Sequence, residues 1–488
     1  MPDNFIPTSV DYLRTLPEII LIVAGALMMF LEGLAGERHR KGSGPLALVA
    51  IIGALVAALN AGMNKGLAYQ NFLIIDDFAT YFRVLVLVVG AFTVLCSISY
   101  LKREDSDSSE YYALILFSLV GQCLLATSNE LIMVFIGLEI SSIATYILAG
   151  FHRDDRRNNE AAIKYFLLGS FATAFLLYGV AWIYGLTGTT NLTQIGKLLA
   201  DPRTVNAPWM VGTACALMFV GFAFKVSAAP FQSWTPDVYQ GAPAPITMFM
   251  SAGPKAAAFA VFLRVFTTAF SGLGESWEYI VWVSALLTMI IGNFAALTQS
   301  NIKRMLAYSS IAHAGYVLVA IAARSEIGTA AALFYLASYA FMNLGAFAIV
   351  IHFSRTHERY VLVEDLAGLA QKQPVIAALF TVFLLSLIGV PLTSGFFGKF
   401  YIFKAAIDSK LFWLSVLGLL NSAVAAYYYL RVIVVMYFHE PGQSVETATA
   451  PSAGINITLW ASAIAIVVLG VFPSLLLNFA TQSAYLGK

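Results

Sequence analysis

Four charged residues lie inside stretches of sequence that are otherwise apolar, and their types suit proton transfer. Glu139 sits in Phe135-Ile136-Gly137-Leu138-Glu139-Ile140-Ser141-Ser142, and Lys225 in Gly221-Phe222-Ala223-Phe224-Lys225-Val226-Ser227-Ala228-Ala229-Pro230. Lys255 follows Ser251-Ala252-Gly253-Pro254, and Lys399 ends Ile388-Gly389-Val390-Pro391-Leu392-Thr393-Ser394-Gly395-Phe396-Phe397-Gly398-Lys399. A charge at the centre of a spanning helix costs ~2.5–3.5 kcal/mol on insertion scales, so each one requires an explanation. An amine taken out of water loses its preference for the charged form, and a carboxylate at its side restores it. A carboxylate and three amines spread over four helices therefore suit a lateral proton relay along the midplane. The plainer reading is a set of buried ion pairs that only staple helices together.

Other polar residues have balanced readings. Lys164 stands four residues after Glu160, the spacing of an ordinary helix ion pair, with a relay role as the alternative. Lys303 and Arg304 open an apolar run, where snorkelling to the interface accounts for them. His313 lies about three turns further in, amid Ser309, Ser310 and Tyr316, either as a satisfied core histidine or as a relay group titrating near neutrality. Glu32 and Glu130 fall near run ends and read as solvated. Arg83 and Arg264 interrupt apolar stretches with no role assigned.

Several chemistries have no support. Cys96, Cys123 and Cys215 all lie in apolar runs with no C-x-x-C, whereas an iron–sulfur cluster takes about four thiolates and structural zinc about four Cys or His. No Rossmann or P-loop glycine pattern occurs. No cofactor or metal is expected on this chain.

The elements that must position these residues follow from composition. The 488 residues are 59% hydrophobic and only 11% charged, with a mean hydropathy of +0.78. Soluble chains carry about 25% charged residues, so this one is an integral membrane protein. A formal net charge of +1 shows no basic footprint for nucleic acid. The start, Met1-Pro2-Asp3-Asn4, lacks a basic n-region, so the first span is expected to act as its own anchor. About fourteen apolar runs reach spanning length. They lie near 16–34, 44–62, 78–100, 111–127, 129–150, 161–186, 209–229, 244–269, 278–298, 304–323, 328–353, 374–407, 411–438 and 457–479. Short gaps after Thr127 and Gln299 predict antiparallel hairpins. The expected fold is an all-α polytopic bundle.

With the N-terminus outside, inner-loop cations such as Arg38, Arg40, Lys41, Lys102, Arg103, Arg153, Arg156 and Arg157 belong to a set about twice as large as the outer one, which includes Arg203 and Lys488. Both termini are then expected outside. Pro230 and Pro391 interrupt the seventh and twelfth runs, and paired broken helices in corresponding places point to an ion site between internal repeats. Five spans per unit is an odd number, which predicts two inverted five-helix repeats. The expected division is 1–110, a three-helix segment; 111–270 and 271–440, the two repeats; and 441–488, a final helix.

The most specific signal is Phe224-Lys225 through Phe231-Gln232-Ser233-Trp234-Thr235-Pro236-Asp237-Val238-Tyr239-Gln240-Gly241-Ala242-Pro243-Ala244-Pro245, supported by Asn301-Ile302-Lys303-Arg304-Met305-Leu306-Ala307-Tyr308-Ser309-Ser310-Ile311-Ala312-His313 and Gly395-Phe396-Phe397-Gly398-Lys399-Phe400-Tyr401. With these motifs the chain closely resembles, over nearly its whole length, the subunit N family of bacterial NADH-quinone oxidoreductases (respiratory complex I). That family is part of a wider antiporter-like group. The Trp234–Pro243 stretch, a lysine rather than a glutamate after the second break, and an end shortly after the fourteenth span favour the N-type member.

The resemblance implies that Glu139 and Lys225 form the first charge pair of one half-channel. Lys255 would then be the central relay, Lys399 the group of the second half-channel, and Lys303 and His313 points on the connecting polar axis. Many relatives carry His where this chain has Gln232, which cannot titrate near neutrality. The implied function is proton translocation in the membrane arm of a large hetero-oligomer in the bacterial inner membrane, with NADH, flavin, iron–sulfur clusters and quinone on partner subunits. The rival readings are a subunit of a sodium/proton antiporter or membrane-bound hydrogenase, and a structural subunit that does not pump. A stand-alone metabolite carrier is disfavoured, because no Arg cluster faces a central cavity.

Overall fold

The computed structural model describes residues 7–35, 37–201, 208–446 and 449–485. Arg203, Lys488, both chain ends and the side chains of Arg38, Arg40 and Lys41, all used in the expected loop bias, lie outside the described residues.

The chain is almost entirely helical. A short helix α1 (Ser9–Arg14) leads into α2 (Leu16–Ala35) and α3 (Glu37–Met63); a small antiparallel hairpin, β1 (Gly66–Ala68) and β2 (Leu73–Ile75), precedes α4 (Asp77–Arg103). Then come α5 (Ser109–Thr127), α6 (Leu131–Ala149), α7 (Arg156–Thr187), α8 (Leu192–Ala200), α9 (Pro208–Val226), α10 (Trp234–Gly241) and α11 (Ala244–Arg264). After these follow α12 (Gly274–Leu297), α13 (Ile302–Ala322), α14 (Glu326–Ser354), α15 (Leu369–Lys372), α16 (Pro374–Ile388), α17 (Ser394–Asp408) and α18 (Phe412–Phe438). The chain closes with α19 (Gln443–Glu446), α20 (Ala453–Val471) and α21 (Ser474–Ser483).

Among the described residues, 13 helices are long and apolar enough to cross a membrane. The twelfth run divides into α16 and α17, of 15 residues each. Each is about 22 Å long, short of a hydrocarbon core of about 30 Å, so only the pair together matches one crossing. Side-chain caps mark where helices start: Asp76 accepts from Ala79 N at 2.7 Å ahead of α4, and Asn301 from Arg304 N at 3.1 Å ahead of α13.

The hairpins expected after Thr127 and Gln299 are present, and they pack in the same way. In α5–α6 a side chain on Gly121 would collide with Ser141 N and with Gly137 O, at 2.5 Å; in α12–α13 one on Gly292 would meet Ala312 N at 2.5 Å and Tyr308 O at 2.9 Å. Only glycine permits this backbone contact. The hairpins align residue for residue without a gap, Gly121 with Gly292, Gly137 with Tyr308 and Ser141 with Ala312.

The centre of the bundle is formed by α11, α13 and α14, whose apolar stretches are almost wholly enclosed. Two arginines without a sequence-assigned role are clamps. Arg83 on α4 reaches Glu18 on α2 at 2.7 Å, both buried, and also donates to Arg14 O. Arg264 at the end of α11 binds Asp76 through two bonds of 2.8 and 2.9 Å and donates to Ala126 O. These tie the N-terminal helices and the β-hairpin end to the core.

Candidate functional site

Both breaks in the helical runs are closed by polar side chains. At the first, α9 ends at Val226 and the chain passes through Ser227 (φ 65°) to Pro230 before α10. The freed backbone of Ala229 is caught by α12: its N–H donates to Thr288 Oγ1 at 2.8 Å, and its carbonyl accepts from Ser284 Oγ at 2.6 Å. Trp234 Nε1 donates to Phe224 O at 3.0 Å. At the second, Gly389 ends α16 in the left-handed region (φ 93°). Lys399 on α17 turns its ammonium back onto the open carbonyls of Leu387 (3.0 Å) and Ile388 (2.9 Å), with Ser422 Oγ on α18 at 2.8 Å. Its Nζ also lies 4.7 Å from the centre of the Tyr316 ring.

Lys225, in the last turn of α9, donates to Ser142 Oγ on α6 at 2.7 Å and to Tyr165 OH on α7 at 3.2 Å. The rings of Tyr146 and Tyr165 flank it at 5.6 and 5.2 Å. Glu139 is one turn before Ser142 on α6, and its Oε1 is buried without a protein partner. Among the described residues no ion pair within 4.0 Å joins the two, and Ser142 occupies the position beside the lysine.

Lys255, mid-way along α11, donates to Ser310 of α13 through both Oγ (2.5 Å) and the carbonyl (3.0 Å). One turn further along α13, His313 is fully engaged: Nδ1 lies 2.5 Å from Tyr335 OH and Nε2 3.2 Å from Tyr429 OH. Tyr429 in turn bonds Ser309. By the hairpin alignment Ser310 corresponds to Glu139, and His313 to Ser142. Lys225 thus meets the α6 position equivalent to His313, whereas Lys255 meets Ser310, the α13 position equivalent to Glu139.

Lys303 and Lys164 are held differently. Lys303 Nζ, buried, forms an ion pair of 2.6 Å with Glu358 and donates to Ala242 O. Glu358 also accepts from Tyr100 OH and from Ala244 N. Lys164 is part-exposed between Glu160 and Asp237, each at 2.7 Å, and Asp237 also binds Arg304 at 2.7 Å. Burial pushes the Asp237 carboxyl up, but Lys164 and Arg304 outweigh it and hold it below its ordinary value. Gln232 Oε1 is buried without a protein partner.

Sequence reasoning missed the hydroxyl partners Tyr165, Ser422, Tyr335 and Tyr429, and it missed Glu358. Nothing local marks Glu358, a loop residue in Arg355-Thr356-His357-Glu358-Arg359 whose partners are remote in sequence. Among the described residues no group of three or more His, Cys, Asp and Glu could hold a metal ion, and the three cysteines are free and buried.

Comparison with known proteins agrees with this architecture. Residues 128–425 match the family described as NADH:quinone oxidoreductase/Mrp antiporter, transmembrane. NADH-quinone oxidoreductase subunit N 1 of Solibacter usitatus is 60% identical over 474 residues, 97% of each chain. Subunit N of Trichlorobacter lovleyi is 45% identical over 96% of each. A chain of respiratory complex I from Thermus thermophilus superposes with a TM-score of 0.81 at 33% identity, covering 95% of this chain and 98% of that one. A chain of the Mrp complex from Dietzia shares the fold, with a TM-score of 0.83 at 20% identity over 98% and 97% of the two chains. Helix order, broken helices, motif residues and relatives together place this chain in the subunit N family of the NADH-quinone oxidoreductases.

Proposed function

We propose that this chain translocates protons in the membrane arm of a bacterial NADH-quinone oxidoreductase, using Glu139, Lys225, Lys255 and Lys399 as the relay. The observation that carries this reading is the chemistry around the three lysines. Lys225, Lys255 and Lys399 are 5%, 3% and 6% exposed, and the groups that hold them are hydroxyls and backbone carbonyls. A staple would be a buried ion pair, as Lys303–Glu358 is. An ammonium held only by neutral groups gives up its proton without abandoning a buried counter-charge. His313, between two tyrosine hydroxyls, adds a group that hands a proton from one ring nitrogen to the other.

In this reading the charge state of Glu139 sets the pairing of Lys225, and the change passes through Lys255 to Lys399. Residues 111–270 and 271–440 act as inverted repeats, flanked by the segment 1–110 and the last helix of 441–488. Electron transfer takes place on partner subunits of the hetero-oligomer, which hold NADH, flavin, iron–sulfur clusters and quinone. The chain resides in the inner membrane with both termini outside.

The test is NADH-driven proton uptake in membranes carrying Lys255→Ala, with assembly checked on a native gel. An assembled complex that still pumps at the full proton-to-electron ratio sinks the relay and favours a scaffold. Sodium-dependent transport in the purified complex would point to an antiporter instead.

A further inference from the structure

Where α4 and α14 finish and α20 begins, the bundle holds a polar cavity of about 300 Å³, lined by Ser99, Arg103, His352, Arg355, Thr449 and Ser452 among others. Among the described residues no carboxylate lines it. Arg103 has a structural task, closing the carbonyl end of α14 by donating to Ile351 O at 3.0 Å and Ser354 Oγ at 3.3 Å. A guanidinium carries five N–H groups, so this task leaves three. One of them, Nε, is buried with no protein acceptor within hydrogen-bond distance. The nearest carboxylate oxygen, of Glu104, stands 3.8 Å away, and both Glu104 oxygens accept from His357 N instead. His352 Nε2 is likewise buried without a partner. Arg355 leaves the end of α14 at φ 55°, makes a long contact of 3.4 Å to Ser444 O, and has its Cζ 5.9 Å from the centre of the Tyr360 ring.

The opposite wall is the first turn of α20, 19 residues long, whose cap Ser452 also donates to Ser99 Oγ at 2.9 Å. This helix end adds partial positive charge to the cavity. Two guanidiniums, serine and threonine hydroxyls and a helix N-terminus form a donor set for a tetrahedral oxyanion, with the nearby acid, Glu104, 3.8 Å from Arg103 Nε and accepting from His357 N. The cavity lies at the level where three spanning helices end, the depth of lipid headgroups.

We propose that this cavity binds a phosphate group, carried by an anionic lipid headgroup or present as free phosphate. The site is independent of the relay, since none of its residues belongs to it.

The test uses the intact purified complex in detergent. Native mass spectrometry compares retention of dioleoylphosphatidylglycerol with that of dioleoylphosphatidylcholine, and equilibrium dialysis measures binding of radiolabelled orthophosphate. The expected result is one bound phosphatidylglycerol per chain, preferred about tenfold over phosphatidylcholine, with the preference lost in Arg355→Gln. Orthophosphate binding that Arg355→Gln abolishes, with no lipid preference, assigns the site to free phosphate. Equal binding by wild type and variant, or no binding of either probe, overturns the proposal. If the variant fails to assemble, phenylglyoxal modification of Arg355 in the wild-type complex decides. Protection by phosphatidylglycerol or phosphate, and not by phosphatidylcholine, supports the site; equal modification throughout overturns it.

Discussion

Lys225 donates to Ser142 across 2.7 Å, and Ser142 lies one turn along α6 from Glu139. The lysine thus rests on a neutral hydroxyl, and Glu139 Oε1 is buried without a protein partner. In the proposed relay, a switch of Lys225 from Ser142 to Glu139 would move charge along α6 without moving a helix.

Replacing Glu139 by Gln keeps the size of the side chain and removes the charge. The complex is expected to assemble, with proton uptake and quinone reduction falling together by about tenfold or more, as loss of a charge-assisted contact of roughly 1.5–3 kcal/mol would give. Normal pumping in an assembled complex would make Glu139 structural. Ser142→Ala should do less, because Tyr165 still accepts from Lys225.

Lys255 is held twice by Ser310, once through the hydroxyl and once through the carbonyl. Ser310→Ala removes the first and spares the second. Coupled turnover should drop by less than in Lys255→Ala, with the proton-to-electron ratio retained. Parallel flux measurements on the two variants check the ranking, and an equal, complete loss in both would contradict it.

The Lys303–Glu358 pair should behave as a staple. Glu358→Gln leaves a buried ammonium without its counter-charge, a loss of about 3–5 kcal/mol. Lower complex yield and an earlier thermal transition in detergent are expected. A variant that assembles with wild-type stability refutes this assignment. Arg83 and Glu18 predict the same for the N-terminal helices, and replacing both by apolar residues of similar volume should restore most of the loss.

Acid should loosen the clamp between Asp76 and Arg264. Burial pushes the Asp76 carboxyl up, but Arg264 and the cap bonds hold it below its ordinary value of 3.8. Its contribution is therefore complete above that value and is lost as pH falls through the folded-state value. Thermal unfolding followed from pH 6 down to about pH 2, through the folded-state transition below 3.8, should show less acid sensitivity in Asp76→Asn, with lower stability at neutral pH. Identical acid profiles would rule the clamp out.

Much of the fold is legible in the sequence because apolar length and prolines are local signals. The runs, both hairpins and the breaks at Pro230 and Pro391 follow from residue type alone. The positions of Glu139, Lys225, Lys255 and Lys399 are equally local, since a charge in an apolar run stands out. Their partners do not: Ser310 serves Lys255 from another helix, and Glu358 meets Lys303 from a loop 55 residues further on. Arg83 and Arg264 had no visible role for the same reason, because their carboxylates lie 65 and 188 residues away.

The bond from Ala229 N to Thr288 spans 59 residues, and it bears on biogenesis. A backbone group opened in the hydrocarbon must find a donor or acceptor, and here both are supplied by a helix made later. While the ribosome is still short of α12, the bent segment has no finished resting place in the bilayer. Truncated chains ending before residue 284 should accordingly be held at the insertion machinery or degraded, and the two halves of the polypeptide mature as one unit rather than in succession.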